Sequence, residues 1–71
     1  MIYAIRKRSA RHTLVECRSQ SELEGLNAYP LVSYTYVSPS YARQWVRNGR
    51  EHETGLYIDE GEVRYAKAVE G

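Results

Sequence analysis

Apolar and polar residues alternate along this chain in short stretches that predict five strands and two helices. Ile2 to Arg6 alternates and is rich in β-forming residues, and His12 to Cys17 does the same, so both read as strands. The run Arg6-Lys7-Arg8-Ser9-Ala10-Arg11 between them is too polar for a core and reads as a basic loop. The second strand shows Thr13, Val15 and Cys17 on one face and His12, Leu14 and Glu16 on the other. Ser19-Gln20-Ser21-Glu22 matches a capping box, with Ser19 as N-cap. A short helix follows to about Leu26, with Leu23 and Leu26 on one face, and Asn27-Ala28-Tyr29-Pro30 ends it, because a residue before proline avoids the helical region.

Leu31 to Val37 is the clearest strand, since all but Leu31 and Ser33 are β-branched or aromatic. Val32, Tyr34 and Tyr36 share one of its faces. Ser38 then suits an N-cap, Pro39 the first helical position, and Asn48-Gly49 a helix end, which predicts a helix over 39–48. At about 100° per residue, Tyr41, Ala42, Trp45 and Val46 point one way while Arg43, Arg47 and Arg50 point roughly opposite. Residues 50–54 read as a polar loop. Glu60-Gly61 reads as the turn of a final hairpin between residues 55–59 and 62–69. The order β-β-α-β-α-β-β predicts a single α+β domain over 1–71: a small two-layer fold in which a mainly antiparallel sheet is packed on one face by two short helices.

Composition narrows the class. Of 71 residues, 42% are hydrophobic and 27% charged, which fits a globular rather than a disordered chain. Seven Tyr, one Trp and no Phe mean that the core relies on Ile, Leu, Val and parts of the tyrosine rings, with some hydroxyls kept at its edge. The single cysteine, Cys17, excludes an internal disulfide and suits a reducing, cytoplasmic setting. No apolar run approaches the ~18–20 residues that span a bilayer, and the N-terminus lacks the pattern of a secretory signal, so no membrane partner is expected.

The net charge of +1 hides an uneven distribution. Residues 1–20 carry Arg6, Lys7, Arg8, Arg11 and Arg18 against Glu16, whereas residues 51–71 carry six carboxylates against Arg64 and Lys67. The two segments are expected to neighbour each other in the sheet and partly cancel.

Catalytic chemistry finds little footing. His12 and Cys17 stand on opposite faces of one strand, and His52 has no second histidine nearby, so no metal site is expected. Cys17 shares its face with Thr13 and Val15 and reads as a small core residue rather than a nucleophile. No glycine-rich phosphate loop, nucleophile elbow or zinc-protease motif is present, so neither an enzyme nor a cofactor is expected.

Two binding functions remain. The favoured one is a protein-binding regulator or inhibitor of a larger partner, using Arg43, Arg47 and Arg50, with Arg6, Lys7, Arg8 and Arg11 as a second patch; tyrosine and arginine dominate interface hot spots. Small chains without catalytic residues suit regulators of the kind that phages and mobile elements encode, including viral accessory proteins. The alternative is a nucleic-acid-binding domain in which the arginines follow phosphates and Tyr34 and Tyr36 stack bases on an open sheet face. A homodimer formed through an edge strand is a further expectation.

Overall fold

The computed structural model describes residues 1–28 and 31–66. Five strands and two helices follow the predicted order: β1 (Ile2–Arg8), β2 (Arg11–Cys17), α1 (Gln20–Leu26), β3 (Ser33–Val37), α2 (Pro39–Arg47), β4 (Leu56–Asp59) and β5 (Glu62–Tyr65). The expected helix stop at Tyr29-Pro30 and the end of the last strand, residues 67–69, lie outside the described residues. The pairings between these strands are antiparallel. The strands form two sheets rather than one: a three-stranded sheet in the order β2-β1-β3, and the β4-β5 hairpin by itself.

The first hairpin is longer than its sequence suggests. Arg8 pairs with Arg11, so the basic run is strand almost to its tip and not a loop. Ser9 takes φ +54°, the left-handed conformation that lets two residues close a hairpin. Because the ladder is made by backbone groups, charged side chains at its end simply stand out in water.

Register sorts the three-stranded sheet into two faces. Ala4 lies opposite Val15 on one side and Tyr36 on the other, which groups Ile2, Ala4 and Arg6 with Thr13, Val15, Cys17, Tyr34 and Tyr36. Tyr3, Ile5 and Lys7 share the second face with His12, Leu14, Thr35 and Val37. On the first face, Leu23 of α1 joins Ala4, Val15 and Cys17 in one buried cluster. On the second, Ala42 and Trp45 of α2 and Leu56 of β4 pack with Tyr3, Ile5 and Leu14. The helices therefore take opposite faces of this sheet instead of sharing one. The reason is local: Tyr3-Ala4-Ile5 and Thr13-Leu14-Val15 are each buried at three consecutive positions, so both faces need cover.

The acidic hairpin β4-β5 turns at Glu60-Gly61, both with positive φ (+52° and +77°), as a two-residue turn of this twist requires. It is held over the second face by the Tyr3 hydroxyl, which donates to the Val63 carbonyl at 3.2 Å. Standing in its own sheet, it does not neighbour the basic strands in a ladder, so the expected sheet-borne charge cancellation is absent. The basic and acidic parts meet instead in the ion pair of Arg11 with Glu51. Gly55 opens β4 at φ +106°, and a Cβ there would sit 2.8 Å from the Ala66 carbonyl oxygen. Only glycine admits that approach, which the Ala66 N–H uses to donate to the Gly55 carbonyl at 2.9 Å.

Each outer edge of the three-stranded sheet is partly covered. Along β2, Leu14 N–H donates to Glu51 at 3.1 Å and Leu14 C=O accepts from Glu53 at 2.8 Å, so residues 51–53 form a short parallel clip within the expected polar loop. Along β3, the Asn27 amide satisfies both backbone groups of Tyr34, at 2.8 and 2.6 Å.

Helix α2 is closed at both ends as its sequence dictates. Ser38 Oγ accepts from the Tyr41 N–H, and Pro39 occupies the first turn. At the other end Gly49, at φ +70°, donates to Val46, and Arg50 donates to Trp45. These two bonds constitute a Schellman ending. Trp45, only 4% exposed, anchors the helix: its ring fills the cluster on the second face and its indole N–H donates to the Glu51 carbonyl at 2.6 Å. Trp45→Ala is expected to cost about 3–5 kcal/mol, comparable with the whole stability of so small a domain. Urea unfolding followed by circular dichroism measures it, and an unchanged midpoint would contradict the anchoring role.

Candidate partner-binding surface

The Schellman ending decides where the third helix arginine goes. In this motif the residue two past the cap packs back on the last helical turn, usually as a hydrophobic contact. Here that residue is Arg50 and its counterpart is Trp45, and the guanidinium carbon lies 3.6 Å from the ring centroid. A cation on an indole face is held by the ring quadrupole. Arg43, Arg47 and Arg50 therefore do not form one row. Arg43 is half-buried and donates from Nη1 to the Gly61 carbonyl at 3.0 Å, tying α2 to the acidic hairpin turn. Arg47 stands in solvent on the last turn, and Arg50 folds onto Trp45.

The second basic set is likewise divided. Arg11 makes a forked contact to Glu51, with Nε 2.9 and 2.7 Å from the two carboxylate oxygens, while the Thr13 hydroxyl donates to the same carboxylate. Arg6 stands on the α1 face opposite Thr13 and Tyr34. Lys7 stands on the α2 face opposite His12, and Arg8 is exposed near the hairpin tip. Among the described residues, no carboxylate forms an ion pair with Lys7, Arg8, Arg47 or Arg50.

A groove runs along the side of α2 that faces β3. Its floor is Ile5, Thr35 and Val37, its wall is Tyr41 and Trp45, and one end is closed by Lys7, His12 and Arg50, enclosing about 320 Å³. It exists because α2 packs over β1 and against the β4-β5 hairpin, leaving the adjoining strip of β3 open: Thr35 is exposed and Val37 only half-buried. Tyr41 remains 47% exposed while its ring centroid lies 6.1 Å from that of Trp45.

The sheet tyrosines have separate roles. Tyr34 is half-buried against the Leu23 cluster beneath α1, whereas Tyr36, on the same face, is 51% exposed. With α1 on one face and α2 plus the hairpin on the other, the pair does not form an open stacking platform. Sequence reasoning missed Glu51 and the folding-back of Arg50; the second was signalled by the position of Arg50 immediately after Asn48-Gly49.

Cys17 is buried on the α1 side of the sheet, and His12 is exposed on the other. Burial, and after it the negative charges of Glu22, Glu16 and Glu53, push the Cys17 thiol up from its usual range, which disfavours the nucleophilic thiolate. His52 sits in the clip with Nδ1 2.8 Å from the Arg50 carbonyl. No helix among the described residues is long and apolar enough to cross a membrane. No family model matches this chain, and neither a curated protein nor a solved structure shows significant similarity to it.

Two outcomes follow from this geometry. Arg50→Ala uncovers an indole face and is expected to lower the unfolding free energy by about 1 kcal/mol, against a change within about 0.5 kcal/mol for Arg47→Ala. Equal effects in urea melts would count against the stacking. The Thr13 hydroxyl, then Arg11, holds the Glu51 carboxyl below its ordinary value of 4.5. A group depressed in the folded state stabilises above its unfolded value and loses that contribution as the pH falls through the lower folded value. Wild type should therefore lose its advantage over Glu51→Gln as the pH drops below 4.5, and parallel stability curves across that window would show that Glu51 is not the group responsible.

Proposed function

We propose that this protein is a non-enzymatic module that binds a larger protein and acts as its regulator or inhibitor. The observation that carries this reading is the surface formed by the β1-β2 tip and the C-terminal half of α2. There Lys7 and Arg50 line one groove with the exposed ring of Tyr41 and, like the solvent-exposed Arg8 and Arg47 elsewhere on the surface, have no carboxylate partner among the described residues. Rigid aromatic area next to unpaired arginine is the composition of interface hot spots. Unpaired cations on a chain of net charge +1 favour an acidic partner, by local complementarity rather than by a long-range field.

Nucleic acid is the competing ligand for the same cations. Two features favour protein. The indole face that could stack a base is already occupied by Arg50, and Tyr34 is tucked beneath α1. The chain also lacks the strongly basic character of most nucleic-acid-binding domains, with a pI near 7.9 against about 9 or more.

The deciding measurement is capture by the immobilised protein from an extract of its native cell, with and without nuclease, across a salt series. A protein retained after nuclease treatment and lost on Lys7→Glu/Arg47→Glu reversal is expected. Capture abolished by nuclease, with log affinity falling linearly in log salt at a slope near the number of phosphates neutralised, would instead establish nucleic-acid binding.

A further inference from the structure

The geometry points to the groove between β3 and α2 as the seat of an extended acidic peptide segment of the partner, with a carboxylate at the Arg50 end and an apolar side chain at the Tyr41 end. This rests on the protein-binding reading above and identifies which chemistry of partner the groove fits.

The two ends of the groove differ in kind. At one end Lys7 and His12 face each other across the β1-β2 ladder, and Arg50 closes over them from the end of α2. The Arg50 guanidinium is fixed by the indole beneath it, yet its N–H groups make no hydrogen bond to any described residue. A guanidinium oriented by stacking with its donors unspent is prepared for a carboxylate, because little side-chain freedom remains to be lost on binding. At the other end Val37 and Tyr41 present apolar surface and no charge. The five rungs from Tyr3–Val37 to Lys7–Ser33 span four residue steps of β1, or about 13 Å at roughly 3.3 Å per residue. That length accommodates about four residues of an extended chain, placing alternate side chains toward the groove floor.

Edge geometry also suits an extended segment. The Asn27 amide bonds both backbone groups of Tyr34 on the outer side of β3, so the N–H and C=O of Tyr36, two residues on, face the same side. They lie next to the groove, and no described residue bonds them from outside the sheet. An incoming strand could pair there while its acidic and apolar side chains reach along Thr35 and Val37. The face of Trp45 is closed to a nucleobase by Arg50, so the groove favours carboxylates on a peptide over bases on a phosphate chain.

The test is amide chemical-shift mapping of the isotope-labelled protein with a panel of short peptides. Each carries two glutamates and one leucine, at separations from two to five residues, in a serine background. Glutamate-free peptides and a thymidine oligonucleotide serve as comparisons. At least one acidic peptide is expected to shift Thr35, Val37, Tyr36 and the Trp45 indole together, with affinity reduced about tenfold or more by Lys7→Glu and by the groove-filling Thr35→Arg. Both positions are exposed, so these variants are expected to keep the fold, which their unperturbed spectra would verify. No shift from any acidic peptide at millimolar concentration, shifts confined elsewhere, or equal response to glutamate-free peptides would overturn the proposal. So would tighter occupation of the groove by the oligonucleotide. If a captured protein binds Lys7→Glu and Thr35→Arg as well as wild type, the groove assignment falls while the protein-binding reading stands. Capture that depends on nucleic acid removes both.

Discussion

One hydrogen bond organises this molecule: the Trp45 indole N–H donating to the Glu51 carbonyl at 2.6 Å. The same carbonyl accepts from Leu14, so a single main-chain oxygen joins the helix core to the middle of β2. Glu51 can reach both because the Schellman ending reverses the chain within two residues of Asn48. The reversal also lays Arg50 over the indole and directs the Glu51 side chain to Arg11 and Thr13. Backbone, aromatic and ionic contacts therefore converge where three pieces of structure meet: the last turn of α2, the clip and the second strand. A polar atom in so small a core is stabilising only when paired, and here the pairing fixes the position of α2 over the sheet.

Legibility in the sequence followed how local each determinant was. The caps of both helices, the Glu60-Gly61 turn and the face assignment of β2 depend on neighbours within a few residues, and these were readable. The split into two sheets was not, because which strand pairs with which depends on contacts such as Tyr3 to Val63, sixty positions apart. The opposite placement of the helices had a signal that alternation obscures. Tyr3-Ala4-Ile5 and Thr13-Leu14-Val15 are short continuous runs of residues fit for burial, the mark of a strand covered on both sides. The strand character of the hairpin tip is hidden by its polarity, because a protruding ladder is made by backbone groups and is indifferent to charged side chains.

The candidate surface was legible in composition and not in arrangement. Arg43, Arg47 and Arg50 look equivalent on a helical projection, yet each has a different environment: a hairpin carbonyl, open water and an indole face. A projection assumes that the helix continues, and Arg50 lies beyond its end. The tyrosines show the same limit. Tyr34 and Tyr36 share a face, but α1 covers one and leaves the other half exposed.

The unequal protection of the sheet edges has a consequence for self-association. An open β-edge invites pairing with any other strand, including one from an identical chain, and proteins that persist in concentrated solution obstruct such edges. On β2 the obstruction is a peptide segment anchored by two backbone bonds and by the Trp45 indole, so it can leave only if the core opens with it. On β3 it is one carboxamide, from Asn27, at the end of a two-turn helix with little stability of its own. Polymerisation through the sheet, whether productive or pathological, would thus begin at β3, and a single side chain sets the threshold for it.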